Sequence, residues 1–375
     1  MQNLHKGPGI LSILKNVIEK YDHSKIFLIT GRKSFQISGA KDLVEKILKP
    51  HNVCYFNNFE PNPTEKDARR GISLAREHNT SLIISIGGGS VIDMSKLIKA
   101  FFDKDLSEES LNESHLKYEK NIPIIAIPTT AGTGSESTHF ASLYIGKKKY
   151  SIAHQLLLPE ETILDGNLCL SSSRYLRACH ILDAISQAIE SSWAVSATDE
   201  SQELAFRSLD LSMKNYLDYV NNNSLKSAQA MLEAANLSGQ AINISKTTSA
   251  HSCSYGFSTE FGIPHGHAVW MTLPKIFELH NSSANLEIND PRGRDHLSST
   301  LENIKEIMGI TSKDSVKKYF DEFLDGIGID ANIENIKEIT KDERIRLSEN
   351  INLERMKNNP ISFHRKELDL IFGIR

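Results

Sequence analysis

The run Ser81-Leu82-Ile83-Ile84-Ser85-Ile86 passes without a spacer into Gly87-Gly88-Gly89-Ser90, and a helical pattern follows to Phe101. An apolar run this short, closed by glycine, reads as a strand covered on both faces, as a parallel sheet requires. Residues 122–127 (IPIIAI) repeat the pattern, and residues 26–30 and 53–56 are shorter apolar runs. Helical patterns at 40–48, 64–78 and 90–101 lie between them. Strand and helix in alternation predict a parallel sheet with right-handed crossovers.

Later segments change character. Residues 104–120 are charged and aperiodic, which predicts a surface excursion. Residues 142–145 and 150–153 flank a Gly-Lys-Lys-Lys tip at 146–149, a hairpin signal. From Ser171 onward the pattern is helical, at 171–193, 200–219, 228–242 and 295–308. The expectation is a dinucleotide-binding α/β domain over 1–165 and an all-α, metal- and substrate-binding domain over 166–375. A length of 375 residues suits two domains at roughly 150 residues each.

Composition narrows the function class. A net charge of −4 argues against a general nucleic-acid binder. No apolar run approaches the ~20 residues that span a bilayer, and the first residues, MQNLHK, lack a signal-peptide core. Both point to a cytoplasmic protein with no membrane partner. Cys54, Cys169, Cys179 and Cys253 form no CxxC pair, so neither a disulfide framework nor a thiolate zinc site is expected.

Two loops carry phosphate-binding signals. Gly87, Gly88, Gly89 and Ser90 stand between a strand and a helix that contains Asp93, where glycine lets a pyrophosphate approach the backbone and free N–H groups favour anions. The loop after the next strand, residues 128–136 (PTTAGTGSE), offers Thr129, Thr130, Thr133 and Ser135 as further donors. Loops at the carboxyl ends of parallel strands converge where α/β sheets bind ligands.

A second constellation has metal-ligand chemistry. Asp183 and Gln187 are four apart in a helical segment and share a face. His251 and His265 lie fourteen apart, the latter in Pro264-His265-Gly266-His267. A carboxylate, two imidazoles and an amide oxygen suit a divalent metal with a position left for substrate.

The set GGGSxxDxxK at 87–96, PTTAGTGSE at 128–136, LDAISQAIE at 182–190 and IPHGHAV at 263–269 resembles the iron-containing alcohol dehydrogenase family. The resemblance implies a Rossmann-like α/β domain followed by a helical one, in a dehydroquinate synthase-like architecture. It also implies NAD(P)-linked interconversion of alcohols and carbonyl compounds with iron(II) or zinc(II), and, by family analogy, a homodimer. Asp183, His251 and His265 match three of the family's four metal ligands; Gln187 stands where the fourth is usually histidine. His180, one helical turn before Asp183, reads as structural. Tyr255 stands where many members carry a histidine near the reacting carbon. Tyr255 and His267 are the candidate proton donors.

Residues 244–251 (ISKTTSAH), LDAISQAIE and residues 149–154 (KYSIAH) resemble the phosphonoacetaldehyde reductase branch, which implies reduction of phosphonoacetaldehyde to 2-hydroxyethylphosphonate. A phosphonate needs fixed cations and hydroxyl donors. Lys246, Thr247, Thr248 and His139 are the candidates, with His154 as a further one; Arg174 reads as a solvent-facing cation. After the strand at 26–30 come Gly31, Arg32 and Lys33 with no carboxylate, an arrangement that accommodates the 2′-phosphate of NADPH rather than favouring NADH. Three alternatives stay open: a reductase of neutral short-chain aldehydes, a lyase of the dehydroquinate synthase type, and a metal-free, non-enzymatic descendant.

Overall fold

The structure is a computed structural model that describes residues 2–107, 111, 121–146, 148–311, 315–336, 339–351 and 353–374. Residues 108–110 and 112–120 of the charged stretch, and Lys147 of the hairpin tip, lie outside the described residues. The chain divides into two units, one of Met1–Ser172 with Ser224–Asn236 and one of Ser173–Asn223 with Leu237–Arg375.

The first unit contains strands β1 (Asn3–Lys6), β2 (Ile26–Thr30), β3 (Val53–Phe56), β4 (Leu82–Gly87), β5 (Ile124–Pro128), β6 (Phe140–Ile145), β7 (Lys148–Ala153) and β8 (Glu161–Leu164). Six of them form one sheet in the order β1-β8-β5-β4-β2-β3, with every pairing parallel. Alternation along the strands divides the core between the two faces. Phe27, Ile29 and Ile83 pack on one side, and Ile26, Leu28, Ile84 and Ile86 on the other. Each such side chain contributes roughly 1.5–3 kcal/mol by leaving water, which accounts for the near-continuous isoleucine runs. Helices α1 (Ala40–Leu48), α2 (Glu65–Glu77) and α3 (Gly89–Ala100) occupy the expected connections. Thr64 caps α2, its hydroxyl accepting from Asp67 N at 3.2 Å.

β6 and β7 pair antiparallel from Phe140↔Ala153 to Ile145↔Lys148, so the hairpin is longer and its tip shorter than the sequence pattern indicates. Gly146 sits in the tip at φ 58°, a left-handed turn conformation. β1 and β8 escape the sequence reading because neither is apolar enough. β8 opens with Glu161, which is fully buried yet satisfied by His5, Lys20, Tyr21 and Asn3.

The second unit is helical. Helix α4 (Arg174–Trp193) is buried along almost all its length from Arg177 onward, as a central helix must be. It packs on α5 (Asp199–Asn221), where Arg177 donates to Tyr219 O and Val220 O at 2.8 Å each and satisfies carbonyls at the helix end. Helix α6 (Leu225–Ser245) begins in the first unit, where Gln229 Oε1 accepts from Gly166 N at 2.7 Å. Helices α7 (Ser249–Phe261) and α8 (His265–Trp270) follow, and Trp270 Nε1 donates to Leu182 O of α4 at 2.7 Å. Among the described residues, no helix is long and apolar enough to cross a membrane.

Candidate functional site

In the α/β unit, strand order reverses between β2 and β4, whose carboxyl ends carry Gly31 and Gly87. Such a switch point is where open α/β sheets bind ligands. The two glycine-rich loops follow the adjacent strands β4 and β5 and touch each other. A Cβ on Gly88 would lie 3.2 Å from the Thr130 side chain, and one on Gly89 would lie 2.9 Å from that of Thr133. At Gly31 a Cβ would lie 2.1 Å from Ser34 Oγ, a hydroxyl that would have to rotate away. Gly88 caps α3, so the N–H groups of Gly89 and Ser90 precede the helix's own hydrogen bonds and are available to an anion. Ser90 Oγ accepts from Asn62 N at 3.1 Å. Thr129 Oγ1 is buried with no hydrogen-bond partner, the mark of a hydroxyl that a bound ligand would satisfy.

Asp93 and Ser135 are already engaged with each other. Ser135 Oγ donates to Asp93 Oδ1 at 2.6 Å, and Ser142 N donates to Oδ2 at 3.0 Å, so Asp93 anchors the second loop and β6 to α3. Lys96, on the same helix, is fully buried and donates to Thr138 Oγ1 and Phe140 O at 2.9 Å each. Burial lowers its pKa to about 8 against the opposing pull of Asp93 and Glu136. The sequence marks both residues by the DxxK spacing, and the contacts they make brace the loop.

In the helical unit, Asp183, His251 and His265 bring one ligand atom each within 4.8 Å of the others. His251 Nε2 lies 3.6 Å and His265 Nε2 4.0 Å from Asp183 Oδ1. Tetrahedral ligands at ~2.1 Å from an ion stand about 3.4 Å apart, so a metal fits after small side-chain movements. Gly266 permits the approach of α8 to α4. A Cβ there would lie 2.0 Å from Cys179 O and 2.8 Å from Asp183 N.

Glu190, which the sequence reading passed over, completes this centre. Its Oε2 accepts from His251 Nδ1, and its Oε1 accepts from Thr248 Oγ1 at 2.7 Å and Ala250 N at 2.8 Å. Burial alone would depress the His251 pKa; Glu190 and Asp183 outweigh it and raise the value to about 9. Burial would raise the carboxyl pKa values of Asp183 and Glu190, and the facing histidines more than offset it, holding both below the usual range. The missed signal was spacing: Glu190 lies seven residues after Asp183, on the same helical face.

Gln187 points at the cluster through its nitrogen. Nε2 donates to Asp183 Oδ1 at 3.0 Å, while Oε1 accepts from Ser238 Oγ at 2.9 Å. His180 is pushed down to about 4, chiefly by burial. Tyr255 is one turn after His251 on α7 and half-buried. His267 is bound at both nitrogens, Nε2 donating to Asp330 O and Nδ1 accepting from Tyr175 Oη, each at 2.9 Å.

Of the candidate anion ligands, Lys246 is exposed and holds a left-handed φ of 60°. Thr247 Oγ1 accepts from Arg355, a cation the sequence reading did not single out. The single O–H donor of Thr248 is committed to Glu190, and its oxygen accepts from Trp193 Nε1 at 2.9 Å. His139 belongs to the other unit, with its ring edge-on to Phe140. His154 accepts from Leu156 N at 3.1 Å and caps a short turn. Arg174 lies exposed against Asn221, as its sequence reading has it.

Two glycine-rich loops at the carboxyl ends of parallel strands, and a helical unit with a carboxylate–imidazole cluster, belong to a nicotinamide-linked, metal-dependent alcohol dehydrogenase or aldehyde reductase of dehydroquinate synthase-like architecture. The chain belongs to the iron-containing alcohol dehydrogenase family, whose main profile matches residues 2–166 and whose C-terminal profile matches residues 178–373. It is 28% identical to the phosphonoacetaldehyde reductase of Streptomyces viridochromogenes over 325 residues, covering 84% of this chain and 81% of that protein. It is 27% identical to the NADH-dependent butanol dehydrogenase A of Clostridium acetobutylicum, covering 72% of each. Among solved structures, the sulfoacetaldehyde reductase of Bifidobacterium kashiwanohense in complex with NAD+ superposes with a TM-score of 0.85 at 25% identity, covering 99% of this chain and 96% of that one.

Proposed function

We propose that this enzyme reduces a small aldehyde carrying an anionic head group, with phosphonoacetaldehyde, reduced to 2-hydroxyethylphosphonate, as the substrate. The observation that carries the reading is the convergence of Asp183, His251 and His265 on one point, with Thr247 four residues and Lys246 five residues before His251. Relatives named for phosphonoacetaldehyde and sulfoacetaldehyde, both anionic aldehydes, support it.

When bound, a nicotinamide cofactor supplies the hydride and a divalent metal supplies Lewis-acid polarisation of the carbonyl oxygen. Asp183, His251 and His265 would hold the metal; one carboxylate and two imidazoles without thiolate suit iron(II) or zinc(II). Gln187 joins them only by turning its amide so that oxygen replaces nitrogen. Gly31, Gly87 to Ser90 and the hydroxyls of Thr129, Thr130 and Thr133 hold the dinucleotide, with Asp93 and Ser135 fixing the loop. Arg32 and Lys33 favour NADPH. Arg32 now donates to Asn58 Oδ1 at 2.6 Å and lies 3.2 Å from Glu60, partners that a 2′-phosphate would replace. Lys246 and Thr247 bind the head group with Arg355 beside them, and His139 is a further candidate; Thr248 serves by holding Glu190. Tyr255, on the His251 face of α7, is the better proton donor to the product oxygen, because both His267 nitrogens are engaged.

The test is NADPH and NADH oxidation by purified protein with added iron(II) or zinc(II), using phosphonoacetaldehyde, propanal, butanal and lactaldehyde. A kcat/KM for phosphonoacetaldehyde far above the others is expected. Equal rates with the neutral aldehydes would establish the alternative, a general short-chain aldehyde reductase, and a strong NADH preference would remove the NADPH assignment.

A further inference from the structure

Beside the helical unit's ligand cluster, Glu190 turns its two oxygens to two different tasks. Oε2 meets His251 Nδ1, and Oε1 meets the N-terminal turn of the helix that carries His251, accepting from Thr248 Oγ1, Ala250 N at 2.8 Å and Thr248 N at 3.2 Å. Glu190 itself is fully buried. The Thr248 hydroxyl cannot turn round to donate elsewhere without cost, because Trp193 Nε1 already occupies its acceptor side.

We propose that Glu190 is a positioning residue for the metal centre: it fixes the His251 ring with the proton on Nδ1 and the lone pair of Nε2 aimed at Asp183 and His265. The requirement is for a side chain that accepts at both ends. An ionised carboxylate accepts at both oxygens; an amide of the same shape donates at one. In Glu190→Gln, an amide nitrogen facing His251 would force Nδ1 to accept and place the proton on Nε2, the atom needed by the metal. The opposite amide orientation sets nitrogen against the Ala250 and Thr248 N–H groups. Neither orientation satisfies both sites, so the isosteric change carries a penalty that packing alone would not predict. The carboxylate also places negative charge at the N-terminus of α7, which ties the orientation of the ligand to the capping of its helix.

The inference rests on the metal reading above, and the experiment separates the two. Zinc(II) affinity is measured by chelator competition for the wild type, Glu190→Gln and Glu190→Ala. The expected result is a loss of about 10- to 100-fold for Glu190→Gln, with no advantage over Glu190→Ala despite its native shape. Wild-type binding with Glu190→Gln within twofold of it would overturn the positioning role while leaving the metal site standing. A wild type that binds no zinc would overturn both. Nitrogen-15 spectra of histidine-labelled, zinc-loaded wild-type protein give a readout that needs no variant to fold. His251 coordinating through Nε2, with an Nδ1 proton far downfield in a strong hydrogen bond, is expected. Coordination through Nδ1, or an Nδ1 proton in free exchange with solvent, would overturn the proposal.

Discussion

Gln187 Nε2 donates to Asp183 Oδ1 at 3.0 Å, and that same oxygen lies 3.6 Å from His251 Nε2. The amide therefore addresses the ligand cluster as a donor to one of its members, while its own oxygen is taken up by Ser238. An imidazole at this position would offer a lone pair instead. Gln187→His is expected to tighten zinc(II) binding by on the order of tenfold, since nitrogen donors of this kind suit zinc and iron better than an amide oxygen. Chelator competition on the two proteins reads it directly. An affinity unchanged or weakened in Gln187→His would mean that the space between α4 and α6 does not admit the ring in a ligating pose.

Gly266 has no room for any side chain. Its hypothetical Cβ meets backbone, Cys179 O at 2.0 Å and Asp183 N at 2.8 Å, so no rotamer change relieves the clash. Gly266→Ala must push α8 away from α4, at a cost of about 3 kcal/mol or more by analogy with overpacked cores. Urea unfolding should show an unfolding free energy lower by that amount, with the midpoint moving down accordingly, accompanied by weaker metal binding because His265 opens α8. A stable variant with unaltered zinc affinity would show that the helix contact is softer than its geometry implies.

How far the sequence could be read depended on what carried each signal. β2, β4 and β5 were legible because both sheet faces are buried there and their runs are almost wholly apolar, whereas the edge strand β3 showed only as a short apolar run with Tyr55 exposed. β8 was not, because Glu161 is buried among cations and hydroxyls, and a polar residue satisfied inside the fold looks exposed in a sequence. The ligand cluster was legible as residue types, since Asp183, His251 and His265 stand in motifs. The orientation of Gln187 was not, because it is decided by Ser238, fifty-one residues away. Glu190 and Arg355 were missed for a related reason: a carboxylate that serves a histidine, and a guanidinium that serves a threonine, declare themselves only through the contact.

Gly89 opens α3, where alanine would ordinarily be a better helix former by up to about 1 kcal/mol. Here its Cβ would lie 2.9 Å from both the methyl and the hydroxyl of Thr133, in the space between the two glycine-rich loops. Gly89→Ala is therefore expected to leave the unfolding midpoint within a degree or two and to raise the KM for NADPH about tenfold or more, the scale set by losing roughly 1.4 kcal/mol of binding. Pairing it with Thr133→Ala, which removes the colliding atoms, should restore part of the loss. If the single variant binds cofactor normally, the dinucleotide does not pass between these loops.

His280 gives the chain a defined acid sensitivity. It is buried edge-on against Trp193 at 4.5 Å, and its Nε2 accepts from Asn359 Nδ2 at 3.1 Å. Burial lowers its pKa from 6.5 to about 3, so the folded protein keeps it neutral where the unfolded chain takes up a proton. The unfolded state then binds more protons below pH ~6.5, and stability present above that value is lost as pH falls toward ~3, by up to about 1.4 kcal/mol per pH unit from this group. His280→Gln, which keeps an acceptor for Asn359, should give an unfolding free energy that falls less steeply between pH 6 and 4.5 than that of the wild type. Taking the difference of the two profiles at equal zinc concentration cancels the terms they share, including the metal ligands. Parallel profiles would mean that His280 is protonated in the folded state as readily as in the unfolded one, with the Trp193 and Phe363 faces opening to admit water.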